Sequence, residues 1–461
     1  MGAFRLPSTD QTLPATASAS AWFAGAIIVG TVAFNAGLAF LNGHVFPTGA
    51  TVVMASEALL LFAAGLACRN YLTMNHVALL GLLVAYALAL AATRSIAIPG
   101  TPFDPKSARD IVIPVIFFLL GRAVGDIRAA DRIVLFVTGL LFVVALLEYL
   151  SLSTYLSVFK VAQYYIARGT LEASSHSLNV SEGLMVSGVR PEEQGRTLLP
   201  FLGGHRVSSL FLEPSTLGNY GAIVALWGAV RTRMTRQIYF WTILGALALV
   251  VLSDTRVAAF LALVGLIVLL LPPRLTTPAV FVLPFATIFA LCVFAAWTGP
   301  VNGKLEVEGL GLYDRLLYSG RVLMSFDIYH WFGLNVSTAQ TFDSGYGYVI
   351  SNFGIVGFAL LWTLFMSLRG RTPYFLAFRN VMGVFFAALL CISASQFTIK
   401  LAATLWFLLG VLSVAQEPKL AKRFGTARTQ LAPPRRIERG WFGTPAGTAP
   451  ELSVTNKFRR A

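Results

Sequence analysis

The sequence predicts an all-α fold: a polytopic integral membrane protein of about 12 transmembrane helices with two large loops on one side. Three observations carry this. Of 461 residues, 56% are hydrophobic and only 12% are charged, whereas a soluble domain carries about 25% charged residues. The apolar residues fall into blocks of roughly 15 to 23, the length that crosses a ~30 Å hydrocarbon core. Lys and Arg gather in alternate loops, as the positive-inside effect requires.

The blocks lie near Trp22–Leu41, Ala50–Ala67, Val77–Ala92, Ile111–Gly125, Ile133–Leu150 and Ser215–Val230. They continue near Ile238–Leu252, Val257–Leu271, Ala279–Trp297, Tyr346–Leu368, Val381–Gln396 and Ala402–Ala415. The fourth is short and interrupted by Pro114. Residues 1–20 read as a polar cytoplasmic tail, since the apolar block behind them is too long for a signal-peptide core. Residues 21–415 form the transmembrane domain, and residues 416–461, rich in Pro, Gly and basic side chains, read as a disordered cytoplasmic tail.

Alternate loops carry Arg69, then Arg122, Arg128 and Arg132, then Arg231, Arg233 and Arg236, then Arg274, then Arg369, Arg371 and Arg379. Asn42–Gly49, on the other side, has no Lys or Arg; the exception is the loop with Arg94, Lys106 and Arg109. Both termini are therefore expected in the cytoplasm of a bacterial inner membrane. The long loops, about 159–206 and 299–342, are expected in the periplasm. Val158–Ile166 and Asp314–Tyr329 are expected to lie on the membrane surface, the latter as one helix with Arg321 at the edge of its apolar face.

The net charge of +14 is accounted for by those loops and the tail, and no basic-aromatic patch points to nucleic acid. Cys68, Cys292 and Cys391 are far apart and show neither a disulfide framework nor a metal spacing. Glu57 and Glu148 lie within spans. Intramembrane acids suggest ion coupling. Glu148, near the outer end of its block, is expected to be solvated or interfacial, and Glu57 has no evident role.

Four stretches at the outer ends of spans hold the concentrated polar chemistry. The first runs from Arg206 through Glu213-Pro214-Ser215 to Tyr220, and the second is Ser253-Asp254-Thr255-Arg256. The third is Ser319-Gly320-Arg321, followed by Tyr329-His330-Trp331, and the fourth is Asp343-Ser344-Gly345-Tyr346-Gly347-Tyr348 running into Asn352 to Gly357. Singly, each is also compatible with a snorkelling arginine, an interfacial turn or a capped helix start.

Together and in this order they resemble the Wzy/WaaL superfamily of bacterial polysaccharide polymerases and O-antigen ligases. The resemblance covers roughly Arg206 to Leu368; the N-terminal half is similar only as a series of spans. It implies a donor glycan on undecaprenyl pyrophosphate, transferred at the periplasmic face. Arg206, Arg256 and Arg321 would then bind the pyrophosphate, because a guanidinium meets phosphate oxygens bidentately and keeps its charge. Asp343, Glu213 and His330 would be candidates for the base that takes the acceptor proton. Asp343 stands where ligases tend to carry His, which favours a polymerase, and the spacing around His330 is loose.

No cofactor is expected, because the pyrophosphate bond already activates the sugar. Metal ligands are likewise not expected: the sequence has no Asp-x-Asp or His cluster, and no Walker or Rossmann glycine loop. The partners implied are membrane lipids, a flippase and a chain-length regulator. Two rival readings remain: an O-antigen-type ligase and a secondary transporter. The transporter would require internal repeats and broken helices near the midplane.

Overall fold

The structure is a computed structural model, and it describes residues 18–98, 103–169, 178–179, 183–185, 188, 199–298, 311–335 and 343–416. The expected tails, apart from 18–20 and Gln416, and parts of both long loops lie outside the described residues.

The first half of the chain folds as α1 (Ser18–His44), α2 (Ala50–Cys68), α3 (Met74–Ala97), α4 (Lys106–Val124), α5 (Ile127–Leu150), α6 (Leu152–Phe159) and α7 (Val161–Ala167). The second half adds α8 (Pro214–Thr235), α9 (Phe240–Ser253), α10 (Arg256–Leu270), α11 (Pro273–Thr298), α12 (Leu312–Met324), α13 (Ile328–Trp331), α14 (Gly345–Ser367), α15 (Pro373–Leu389) and α16 (Ile399–Val414). Extended pairing is confined, among the described residues, to a two-residue antiparallel match of Leu178–Asn179 with Leu184–Met185.

Among the described residues, six helices are long and apolar enough to cross a membrane: α1, α2, α3, α5, α11 and α14, with α9, α10, α15 and α16 shorter but also apolar. Their outward faces are apolar as well. Leu59, Phe62, Leu82, Phe136, Val143, Phe260, Leu263 and Phe289 all point away from the protein. Water would not tolerate a belt of that size, whereas lipid does. The chain is an all-α membrane protein.

The core is built by close backbone approach rather than by large side chains alone. The tightest crossing is α4 on α16, where a Cβ on Gly121 would run into the Phe407 carbonyl and one on Gly410 into the Phe118 carbonyl. Small residues at a helix crossing are the usual device where lipid removes the hydrophobic drive. α4 begins five residues before the expected block and runs through Pro114, so Lys106, Arg109 and Asp110 lie on the helix rather than in a loop.

Three further expectations change. Val158–Ile166 does not lie flat on a lipid surface. Tyr155, Tyr164 and Tyr165 of α6 and α7 are buried, and their hydroxyls donate to the Ser209 carbonyl, Asn35 and Glu213. The stretch from Asp314 to Tyr329 is two helices, not one. Asp327 caps the second by accepting from the His330 amide at 2.8 Å, which starts α13 three residues after the end of α12. Glu148 is fully buried instead of solvated.

Candidate functional site

The first two stretches form one assembly. The chain leaves Arg206 in an extended run whose Val207 amide donates to Leu252 at 3.2 Å. It then turns through Ser209 and Leu212, both at positive φ (53° and 59°). Two such conformations in non-glycine residues are strained and need outside support. Glu148 supplies it: its carboxylate accepts the amides of Ser208 at 2.9 Å and Ser209 at 2.6 Å. An acid inside the membrane domain is thus a structural clamp on the loop that carries Arg206.

Arg206 itself donates from Nε to the Ser253 carbonyl (3.1 Å) and from its terminal nitrogen to the Thr255 hydroxyl (3.2 Å). Thr255 in turn donates to the Pro214 carbonyl at 3.2 Å. The turn closes on Gly218 of α8, where a Cβ would sit 2.6 Å from that of Thr255. Asp254, at φ 47°, accepts the Leu199 amide at 3.2 Å. Arg256 opens α10 with its side chain exposed.

Glu213 is the N-cap of α8, with Pro214 at the first helical position where its missing N–H costs nothing. Its carboxylate accepts from Tyr165 (3.0 Å), from Thr216 (2.8 Å) and from the Lys400 ammonium (3.1 Å). Burial disfavours the charge, but Lys400 and the hydrogen bonds from Thr216 and Tyr165 outweigh it and hold the carboxyl below its usual range. Burial, reinforced by Glu213, pushes the Tyr165 hydroxyl well above the ordinary phenol value, so it stays a donor.

The third and fourth stretches form a second assembly. Gly320 lets α12 lie against the backbone of α11, where a Cβ would meet the Leu291 carbonyl. The Ser319 hydroxyl donates to the Asp343 carbonyl at 3.4 Å and to the Cys391 carbonyl. Arg321 is half-buried. Asp343 is open, its side chain 60% exposed, with Arg315 3.9 Å away. His330 stacks on Phe326 and pairs through Nδ1 with Asp327 at 2.8 Å. The His330 amide and ring keep the Asp327 carboxyl below its usual range. Ser344 caps α14, and Phe332-Gly333 packs on the break in α14 at Gly354 (φ 67°). At that break Arg94 donates to the Ser351 carbonyl (2.7 Å) and Tyr86 to that of Phe353 (2.6 Å).

The two assemblies meet through the start of α16. Phe397 rests 5.9 Å from the Tyr348 ring of α14, and three residues later Lys400 reaches Glu213. Arg206 is thus tied to the Ser253–Arg256 turn and, through α8, to the Glu213 cap. Arg321, His330 and Asp343 belong to the neighbouring α12–α14 group.

Sequence reasoning missed the partners. Lys400 is a lone cation between two apolar blocks, 187 positions from its carboxylate. Glu57 pairs with Arg109 at 2.5 Å, and Arg109 also binds Asp110 at 2.8 Å. Asp110 accepts from Tyr348 at 2.5 Å, and Lys106 lies 5.0 Å over the Tyr348 ring. The one available signal was that Arg109 and Lys106 broke the charge rule for outer loops. At the opposite end of α8, buried Arg231 pairs with Asp131 at 2.7 Å and with Tyr239. Among the described residues no group of three His, Cys, Asp or Glu could hold a metal ion. No family model, curated protein or solved structure matches the chain.

Proposed function

We propose that the protein is a metal-independent glycosyltransferase of the bacterial inner membrane, a polymerase that joins undecaprenyl-pyrophosphate-linked oligosaccharide units into exopolysaccharide or O-antigen. The observation that carries this reading is the fixing of Arg206 to the Ser253–Thr255 turn beside the Glu213 cap. It unites two motifs 47 residues apart at one end of the bundle. In this reading about twelve helices cross, both termini are cytoplasmic, and that polar end faces the periplasm.

An acceptor hydroxyl oxygen attacks the anomeric carbon. The bond from that carbon to the pyrophosphate breaks, and its electron pair leaves with undecaprenyl pyrophosphate. Arginines stabilise that departing charge: Arg206, Arg256 and Arg321. The hydroxyl proton passes to a base. Asp343 is favoured because its carboxylate is open, with Glu213 and the Asp327-oriented His330 behind it. A single displacement inverts the anomeric centre.

Two other readings have an observation in their favour. The His330–Asp327 pair is the arrangement of an oriented general base, which suits a ligase. The break in α14 at Gly354 is the kind of interrupted helix that a secondary transporter uses. The test is Arg206→Lys, Arg206→Ala and Arg321→Ala in the native cell, with glycan length and attachment read by gel. Polymerase loss leaves single units on the lipid carrier, and ligase loss leaves long chains on it. Unchanged length and attachment in the alanine variants would refute pyrophosphate binding by these arginines.

A further inference from the structure

At the end of α4 away from the candidate site, two arginines converge without a counter-charge. Arg122 stands in the last turn of α4, half-buried, about 18 Å of helix rise beyond Asp110. Arg371 lies between α14 and α15, exposed, and its amide donates to the Ser413 carbonyl at the end of α16 at 3.2 Å. The α4–α16 crossing brings the two together. A Cβ on Gly121, the neighbour of Arg122, would lie 2.8 Å from the Val411 nitrogen, just before Ser413. The two guanidinium groups are within electrostatic reach of one another, and His76, in the first turn of α3, is within reach of Arg122.

Among the described residues, neither guanidinium has a hydrogen-bond or ion-pair partner. The acids next along the chain are engaged elsewhere. Asp126 accepts the Arg128 amide at 2.9 Å, and Asp131 pairs with Arg231 at 2.7 Å. The partial negative charge at the C-terminus of α4 offsets only part of one cation. Two like charges held beside an apolar belt call for a compensating anion.

The surroundings select that anion. One flank of Arg122 is apolar: Leu119 and Ala123 pack on Cys68, Tyr71 and Leu72. Tyr71, in the turn between α2 and α3, is within electrostatic reach of Arg122. Met74 and Val77, which follow it on α3, are exposed and continue the outward apolar belt. A tyrosine between an apolar band and basic side chains is the arrangement of a membrane interface. A dissolved anion gains nothing from the apolar flank. A phospholipid uses both, with its phosphate at the arginines and its chains against Met74 and Val77. Arginine suits that phosphate because its planar fork binds two oxygens at once. We propose that Arg122 and Arg371 form a binding site for the phosphate of an anionic phospholipid. The site is independent of the function proposed above.

The probe is short-chain phosphatidylglycerol, titrated into the full chain in neutral micelles, with short-chain phosphatidylcholine and inorganic phosphate as controls. Unfolding temperature and Kd are read. Phosphatidylglycerol binds wild type and raises its unfolding temperature. Phosphatidylcholine, whose choline cancels the phosphate charge, binds about tenfold or more weakly. Arg122→Gln combined with Arg371→Gln raises the Kd for phosphatidylglycerol about tenfold or more, as the loss of two cations beside a lipid phosphate requires. Arg371→Gln alone, at an exposed position that folding tolerates, raises it about fivefold. Arg132→Gln, an exposed arginine on α5, leaves it unchanged.

Equal binding of the two lipids overturns the proposal. So does an unchanged Kd in Arg371→Gln, or an equal loss in Arg132→Gln, which would make the attraction one of net charge alone. Inorganic phosphate that displaces the lipid at equal concentration also overturns it, because the site would then serve a free anion.

Discussion

Replacing Lys400 with Met removes the ammonium 3.1 Å from Glu213 and leaves a carboxylate whose side chain is 28% exposed. Breaking a fully buried ion pair costs about 3–5 kcal/mol, chiefly because the remaining charge is stranded. Here Tyr165 and Thr216 still donate to Glu213, and part of the carboxylate meets solvent. The expected loss is therefore about 2–3 kcal/mol. Combining Lys400→Met with Glu213→Gln removes the stranded charge and recovers about half of it, so the double variant costs clearly less than the two single substitutions added together.

The assay is reversible unfolding in mixed micelles, followed by helical circular dichroism. The pH dependence carries a sign. The folded Glu213 carboxyl lies below its ordinary value, so its contribution is complete above the unfolded pKa of about 4.3 and is lost as pH falls through the folded value. Wild type thus weakens on acidification below that range, and the double variant weakens less. Strict additivity of the two substitutions, or a Lys400→Met cost under about 0.5 kcal/mol, would show that the pair does not act as described.

Glu148→Leu strands the amides of Ser208 and Ser209 and is expected to destabilise by about 2–5 kcal/mol, with protease cleavage near Ser209 as the readout. Gly121→Val drives a side chain into the backbone of α16; thermal denaturation should show a cost of about 3 kcal/mol or more, against little change for Gly81→Ala, which has open space. Asp131→Leu takes the counter-ion from buried Arg231 at about 3–5 kcal/mol, whereas Asp131→Leu with Arg231→Met is expected to return most of it.

Much of the frame was legible in order along the chain. Blocks such as Ala50–Ala67 and Tyr346–Leu368 fall within a residue or two of α2 and α14, because lipid demands an unbroken apolar run for each crossing. α4 was less legible: its first turn carries Lys106, Arg109 and Asp110, and hydropathy rejects charges that are satisfied by partners on other helices. The polar stretches were visible for the converse reason. Glycines, prolines and arginines at span ends stand out where everything nearby is apolar, although the sequence did not say which of them touch.

The sequence by itself determined that this is a membrane protein of many helices with its polar chemistry gathered at helix ends, since solvent transfer acts residue by residue and needs no fold. Only the tertiary structure decided the pairings. Glu148 became a backbone clamp and Glu57 a partner of Arg109. Lys400 became the counter-ion of Glu213, and Arg206 the tie between α8 and the turn before α10. A charge in low dielectric must find its complement wherever the packing brings one, and the Glu213–Lys400 pair spans 187 residues of chain.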